Sequence, residues 1–282
     1  MKQKTLSLLA SMLLAAVFSL IIISCGNESD DQQNDDSDLI EETTVMEKAD
    51  KLVYPLPTPL EVTEMLNKAG AAYILDIANG PENVAKYFTE ISKALNLGVY
   101  GADLSYASTY NKTQETNNYL ACTITLRDGL AIETPYNSGL LERVEANIDN
   151  KDSIYNILTT SFHETFEYLN DNGKGAVSVM ILAGGWIEGL YLSTELAFLT
   201  ENNAEILKGI ADQKETLKIL MPLIETYKEN ENVNEILKEL RVIETIYSEI
   251  PEKDGVIELT EEYFNKIKME IDNLRKKTVE TT

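Results

Sequence analysis

One segment, residues 175–200, constrains the fold more than any other part of the sequence. It is apolar around nearly its whole helical circumference, and it is about long enough to cross a bilayer. It also carries two carboxylates, Glu188 and Glu195, and a carboxylate is costly at the centre of a bilayer. A helix that is apolar on all sides is otherwise one that other helices surround. The segment therefore predicts a buried central helix in a helical protein.

Helical periodicity continues through the rest of residues 51–282. A capping box, Thr58-Pro59-Leu60-Glu61, starts a helix at residue 59. Pro222 is expected to kink or split the helix that contains it. We predict an all-α, compact multi-helix bundle of about eight to ten helices around the buried central helix, forming a single helical domain over 51–282. Apolar spacing and stop signals place the later helices at 81–98, 99–110, 113–128, 139–149, 152–170, 175–200, 203–227, 231–249 and 260–278, with one short strand candidate at 256–259.

The N-terminal residues have the features of a secretion signal. Lys2 and Lys4 precede a mostly apolar run from Leu6 to Ile23, and a small residue follows before Cys25. A basic start, an apolar run and a small residue at the cleavage point are typical of signal peptides. The alternative is a retained membrane span, since the run is about long enough to cross a bilayer. The abrupt change to polar, acidic sequence after Cys25 favours cleavage.

This arrangement resembles a bacterial lipoprotein signal, with Ile22 and Ser24 at positions where that family more often has leucine and a glycine or alanine. The resemblance implies a signal peptide over 1–24 and acylation of Cys25. Gly26, rather than an aspartate, follows the cysteine, which implies the outer membrane. Ser29 and the acidic residues after it resemble the surface-export signal of Bacteroidota-type lipoproteins. We therefore expect an outer-membrane, lipid-anchored protein, held by its acyl chains and exposed at the cell surface.

The distribution of charge indicates which part of the chain is disordered and which partners are excluded. Residues 25–50 contain ten acidic side chains and one lysine, Lys48, and hold few apolar residues, so we predict an acidic, disordered tether there. The whole chain has 47 Asp and Glu against 24 Lys and Arg, a formal charge of −23. Nucleic-acid binding needs clustered basic residues, so no nucleic-acid partner is expected.

Motifs for catalysis or cofactors are missing from the sequence. His163 is the single histidine; Glu167 stands where a zinc motif needs a second histidine, and helical phase predicts that both are exposed. Cys122 is expected to be a small buried residue. Phosphate-loop and dinucleotide fingerprints are also missing. We therefore expect no metal, no cofactor and no catalytic residue.

Two groups of residues are candidates for a ligand site. Tyr100, Asp103, Tyr106 and Tyr110 fall within about 120° of one another on a helix and could form a platform for a ligand such as a sugar. The alternative is that the rings pack in the core and their hydroxyls bond to helix ends. Glu188, close to Trp186, needs hydrogen-bond donors if it is buried; the favoured alternative is that Glu188 and Glu195 face solvent along a narrow polar strip.

These features predict a lipid-anchored cell-envelope protein that binds a small molecule, a glycan or a protein partner and is not an enzyme. One alternative is a hydrolase that uses carboxylates alone, for instance Glu188 with Asp103. Another is a structural subunit of an envelope complex, for which an exposed apolar patch would be the sign. A pocket lined by the tyrosines would favour ligand binding, and a close carboxylate pair in a cleft would favour the hydrolase.

Overall fold

Capping residues and apolar spacing account for most of the observed elements. The computed structural model describes residues 58–282 except 202, 254–255 and 281–282. The predicted signal peptide, Cys25 and the tether lie outside the described residues. The all-α prediction is confirmed. The described residues form nine helices: α1 (Pro59–Lys68), α2 (Glu90–Thr109), α3 (Thr113–Gly129), α4 (Leu140–Ala146), α5 (Lys151–Asp171), α6 (Gly175–Leu199), α7 (Ala204–Glu225), α8 (Glu231–Glu249) and α9 (Glu261–Glu280).

Short elements complete the chain. Two 3₁₀ helices, Leu75–Ile77 and Pro81–Lys86, lie between α1 and α2. Strands β1 (Glu252–Lys253) and β2 (Val256–Ile257) pair antiparallel between α8 and α9, with Glu252 opposite Ile257. The stretch between α1 and α2 supplies backbone groups to the buried polar side chains described below.

The central helix is α6, and it is buried as predicted. By length and composition it is the one helix among the described residues that could cross a membrane, but 83% of the apolar stretch is buried inside the protein. Helices α1, α2, α5, α7 and α9 all pack against it. Its apolar circumference is thus satisfied by protein neighbours on every side.

Glycines allow α2 and α6 to approach closely. A Cβ on Gly98 would overlap the carbonyl oxygen of Ile181, and a Cβ on Gly184 would overlap the carbonyl oxygen of Leu95. Gly185 of α6 is less tightly placed: a Cβ there would have its nearest neighbours at 3.5 Å. The close approach of the two backbones therefore depends on Gly98 and Gly184.

Two predicted boundaries are wrong. The segment 81–98 is not one helix, because Thr89 and Ser92 form a capping box that starts α2 afresh at Glu90. Gly98 does not end that helix, since it lies at the α6 contact. Pro222 does not split α7, which continues through the proline to Glu225.

Helix α9 closes the far side of α6. Its buried face consists of Phe264, Ile267, Ile271, Leu274 and Thr278, and it contacts α2, α6 and α8. The described residues all belong to one compact unit, with a core that extends along the chain from Leu60 to Leu274. The C-terminal helix is therefore an integral part of this core.

Candidate functional site

Three ionisable side chains from three helices meet in the core. Asp103 comes from α2, Glu188 from α6 and Arg275 from α9. Both carboxyl residues are fully buried, with 0% exposure. The guanidinium of Arg275 donates to both oxygens of Glu188, from Nε at 3.0 Å to Oε2 and from Nη2 at 3.2 Å to Oε1. Such a bidentate pair is among the stronger side-chain hydrogen bonds.

Asp103 lies beside this pair, in surroundings that favour its neutral form. Its Oδ2 accepts from the backbone N–H of Asn79 at 3.2 Å, and the carboxyls of Asp103 and Glu188 are within hydrogen-bonding reach of each other. Burial, and then the charge of Glu188, raise the pKa of Asp103 well above its ordinary value, although Arg275 and the Asn79 N–H oppose this. Among the described groups Oδ1 has no N–H or O–H donor, which fits a protonated Asp103 that donates to Glu188.

The expectation that Glu188 faces solvent is wrong. Burial raises its pKa, while the charge and hydrogen bonds of Arg275 lower it. Arg275 is 87 residues away along the chain, so no local pattern around Glu188 reveals the donor. Glu195 is partly buried and pairs with Lys268 of α9.

The candidate tyrosines hold the segment before α2. Tyr100 donates from its hydroxyl to the carbonyl of Gly80 at 2.9 Å, and the Tyr106 hydroxyl accepts from the Ile74 N–H at 2.8 Å. Both residues have 0% exposure. Tyr110 is half-buried against the ring of Tyr106, 5.1 Å between centroids, and burial raises its pKa to about 12. These contacts are those of core tyrosines rather than of an open platform.

An apolar cavity lies on another face of α2 and α6. It has a volume of about 110 Å³, opens to solvent, and is lined by α1, α2, α5 and α6, with contributions from α3 and α4. Aliphatic and aromatic side chains form most of its wall, including Leu104, Leu158, Phe166 and Ile181. We call it the principal cavity. Its polar lining includes Ser105, Thr123, Arg127, Thr159 and Ser178.

A smaller cavity of about 40 Å³ adjoins the principal cavity. The two share Pro59, Phe162, Leu182 and Gly185 in their walls. The smaller cavity continues to Trp186, whose indole N–H donates to Gln213 at 2.9 Å. Together the two cavities form an elongated apolar space along α6.

Glycines open the principal cavity. Gly98, Gly101 and Gly185 all lie in its wall. A Cβ on Gly101 would find no other atom within 4 Å, so a side chain there would project into the empty space. The sequence signal that could have shown this is the pair Gly98 and Gly101 on one face of α2, opposite Gly185 of α6.

Most of the predicted site residues lie elsewhere. Tyr100, Asp103, Tyr106, Tyr110 and Glu188 line neither of the two cavities, and Trp186 lines only the smaller one. The sequence analysis assigned Asp103 and Glu188 to two separate candidate groups, and the structure places them side by side. It missed Arg127, Gly101 and the cavity-facing side of α5, because the apolar spacing of α5 gives no sign of which face lacks a partner.

The remaining candidates have ordinary environments. Cys122 is buried as expected, and burial raises its pKa to about 11. His163 is partly buried, with its ring 5.5 Å from that of Phe162 between centroids, so its predicted exposure is wrong, whereas Glu167 is exposed as predicted. Within the described residues, no group of three or more His, Cys, Asp or Glu side chains could hold a metal ion.

Comparison of the chain with protein-family models, with curated proteins and with solved structures finds no match.

Proposed function

We propose that this chain is a lipid-anchored cell-envelope protein whose helical body binds a small, largely apolar ligand in the principal cavity. The single observation that carries the proposal is the cavity itself, an apolar space of about 110 Å³ with a few polar groups in its wall. Protein interiors are otherwise close-packed, with few voids larger than a water molecule. A cavity of this size is costly unless a ligand fills it.

Size limits the ligand. An apolar cavity of roughly 150 Å³ accommodates benzene, so the principal cavity accepts a ligand of about that size or slightly smaller. A longer ligand would extend past Gly185 into the space beside Trp186. Both possibilities are consistent with a flexible chain or a single small ring.

The carboxylate pair supports binding rather than hydrolysis. Asp103 and Glu188 are fully buried and line neither cavity, so a ligand in these spaces does not reach them. Arg275 and the Asn79 N–H already occupy most of their oxygens. The pair therefore serves to join α2, α6 and α9.

The test of ligand binding is calorimetric titration of benzene into a protein spanning residues 26–282, which contains every described residue. Benzene should bind the parent protein and should fail to bind Gly101→Phe, because the added ring occupies the cavity. Gly101→Ala is the matched control: it also removes the glycine but leaves most of the space, so binding should persist. Equal benzene affinity in Gly101→Phe and the parent would reject the cavity as the binding site.

The proposed anchor has its own test. Cys25→Ser removes the acylation site, so the protein expressed from the full chain in a bacterium should lose its lipid mass and its membrane association. The control is Cys122→Ser, which leaves Cys25 in place. Retention of both the lipid and membrane association in Cys25→Ser would contradict acylation at this residue.

A further inference from the structure

One end of the principal cavity is marked by positive charge. Arg127 lies in the cavity wall, in the last turn of α3. Lys93 of α2 donates to the carbonyl of Gly129 at 3.2 Å, and Lys174 donates to the carbonyl of Leu130 at 3.1 Å. Three cations from three places in the chain therefore gather around the C-terminal end of α3.

Of the three cations only Arg127 lines the cavity, but Lys93 and Lys174 each lie four residues from a residue that does. Residues four apart lie on one helix face. Lys93 is four residues from Leu97, Arg127 is four from Thr123 and Lys174 is four from Ser178, and the second member of each pair lines the cavity. The principal cavity thus runs from this basic end, past Gly101, to the wall that it shares with the smaller cavity.

Local capping explains only part of this cluster. Lysines near a helix C-terminus satisfy its last carbonyls and complement its dipole. Arg127, however, contacts only the exposed carboxylate of its neighbour Asp128, at 3.4 Å. Within the described part of the chain, neither Lys93 nor Lys174 has a carboxylate in salt-bridge distance. In a chain with a formal charge of −23, an arginine in the wall of an apolar cavity, paired only with an exposed carboxylate among the described residues and close to two carbonyl-bound lysines, indicates an anionic ligand group.

We propose that the ligand of the principal cavity is an alkyl carboxylate, a short- or medium-chain fatty acid anion, with its carboxylate at Arg127, at the end of the cavity nearest Lys93 and Lys174, and its chain directed past Gly101 toward Trp186. This inference rests on the proposed binding function and adds the class of ligand. The planar guanidinium of Arg127 suits a carboxylate, and the apolar wall suits methylene groups. The principal cavity of about 110 Å³ and the smaller cavity of about 40 Å³ together restrict the buried chain to about six carbons, by comparison with the cavity of roughly 150 Å³ that holds benzene.

The test compares three ligands with the same chain and different head groups: hexanoate, 1-hexanol and hexylammonium. Each is titrated by calorimetry at fixed ionic strength into residues 26–282 of the parent protein and of Arg127→Gln, Gly101→Phe and Arg241→Gln. Hexanoate should bind the parent at least about tenfold more tightly than hexanol, since a hydrogen bond to a charged group contributes about that much. Arg127→Gln should bind hexanoate about tenfold more weakly than the parent does, and its affinity for hexanol should differ from that of the parent less than twofold. Arg241, an exposed arginine paired with Glu225, is the matched control and its variant should bind like the parent.

The outcomes separate the two proposals. If hexanol or hexylammonium binds as tightly as hexanoate and Gly101→Phe abolishes binding, the cavity binds ligands but the carboxylate assignment is overturned. If none of the three ligands binds, or if Gly101→Phe binds them as the parent does, the proposed function fails and the ligand class falls with it. A double variant, Lys93→Gln with Lys174→Gln, completes the series. If this variant and Arg127→Gln both bind hexanoate as tightly as the parent does, the basic end is not the head-group site and the proposal is overturned.

The single tryptophan gives an independent readout of chain direction. Trp186 is the only tryptophan of the chain and lines the adjoining cavity. Affinity should rise about fourfold for each added methylene that becomes buried, and the Trp186 fluorescence should respond to octanoate more strongly than to butanoate at equal saturation. An equal response to both acids would overturn the proposed direction of the chain.

Discussion

At the scale of single residues, the interior holds two fully buried carboxyls beside one guanidinium whose side chain is 15% exposed. Arg275 reaches Glu188 with two hydrogen bonds, and its guanidinium also lies over the ring of Tyr191, 4.6 Å from the centroid. Replacing such a pair by apolar residues is often neutral, whereas removing one partner leaves an uncompensated buried charge. The contribution of this cluster is therefore best measured by removing its members one at a time.

Arg275→Met should destabilise the protein by about 3–5 kcal/mol at pH 7, because Glu188 then loses its cation and two donors. Urea unfolding measures the change. Arg241→Met is the matched control, since Arg241 forms an exposed pair with Glu225, and such pairs contribute about 0–1 kcal/mol. Losses of stability of similar size in the two variants would show that the buried pair contributes no more to stability than the exposed pair does.

The free energy of unfolding of Asp103→Asn, relative to that of the parent protein, should increase as pH rises. Folding raises the pKa of Asp103 above its unfolded value of about 3.9. The stability from its bound proton is therefore fully present below that value and is lost as pH rises through the folded pKa. Asparagine does not titrate, and its amide can donate to Glu188 as the protonated acid does.

Urea unfolding of both proteins between pH 4.5 and pH 8 measures this difference. The control is Asp128→Asn, at an exposed carboxylate, which should shift stability by a nearly constant amount over the same range. A constant difference for Asp103→Asn as well would mean that Asp103 is ionised in the folded protein throughout.

At the scale of elements, α2 and α6 illustrate how one pair of helices can be tightly packed and still leave a cavity. Gly98 meets the α6 backbone directly, while Gly101, one turn further along α2, faces open space. Both glycines lower the intrinsic helix propensity of α2 by about 1 kcal/mol each relative to alanine. Only the tertiary contact distinguishes them.

Gly98→Ala should destabilise the protein by about 1–3 kcal/mol net, because its methyl group overlaps backbone atoms that cannot move aside. Gly101→Ala, on the same helix, should instead stabilise it by up to about 1 kcal/mol, since alanine gains helix propensity and meets no atom. Thermal and urea unfolding compare the two. The same sign of change in both variants would contradict the packing described for α2 and α6.

At the scale of the whole molecule, net charge opposes compactness. The formal charge of −23 implies mutual repulsion over the surface. The exposed pairs, such as Lys218–Glu215 and Lys266–Glu262, offset little of it, because exposed salt bridges contribute about 0–1 kcal/mol each. Added salt should therefore stabilise the folded protein, because it screens this repulsion more than it weakens the exposed ion pairs.

Raising NaCl from low to high concentration at pH 7 should raise the thermal unfolding midpoint, since salt at about 1 M reduces the Debye length to roughly 3 Å. Each kcal/mol gained corresponds to about 2–4 °C for a protein of this size. The control is the same series near pH 4.4, the isoelectric point expected from the sequence, where the effect should vanish. A midpoint that falls with salt at pH 7 would show that specific ion pairs outweigh the general repulsion.

Local signals in the sequence determined most of the elements. Caps and apolar spacing fixed the start of α1 at Pro59 and the whole span of α8, Glu231–Glu249, because those signals act within a few residues. The burial of α6 also followed from sequence alone, since a helix that is apolar on all sides needs neighbours on all sides. The class of fold was accordingly predictable.

Only the tertiary structure decided where charge and empty space lie inside the bundle. Glu188 is buried because Arg275, far along the chain, supplies its donors, and that contact has no local signature. The wall of the principal cavity includes Gly101 of α2 and Gly185 of α6, and Gly101 has no side chain to fill the open space that it faces. Periodicity specifies that a helix face is apolar, but the packing of several helices determines whether that face is filled by protein or left for a ligand.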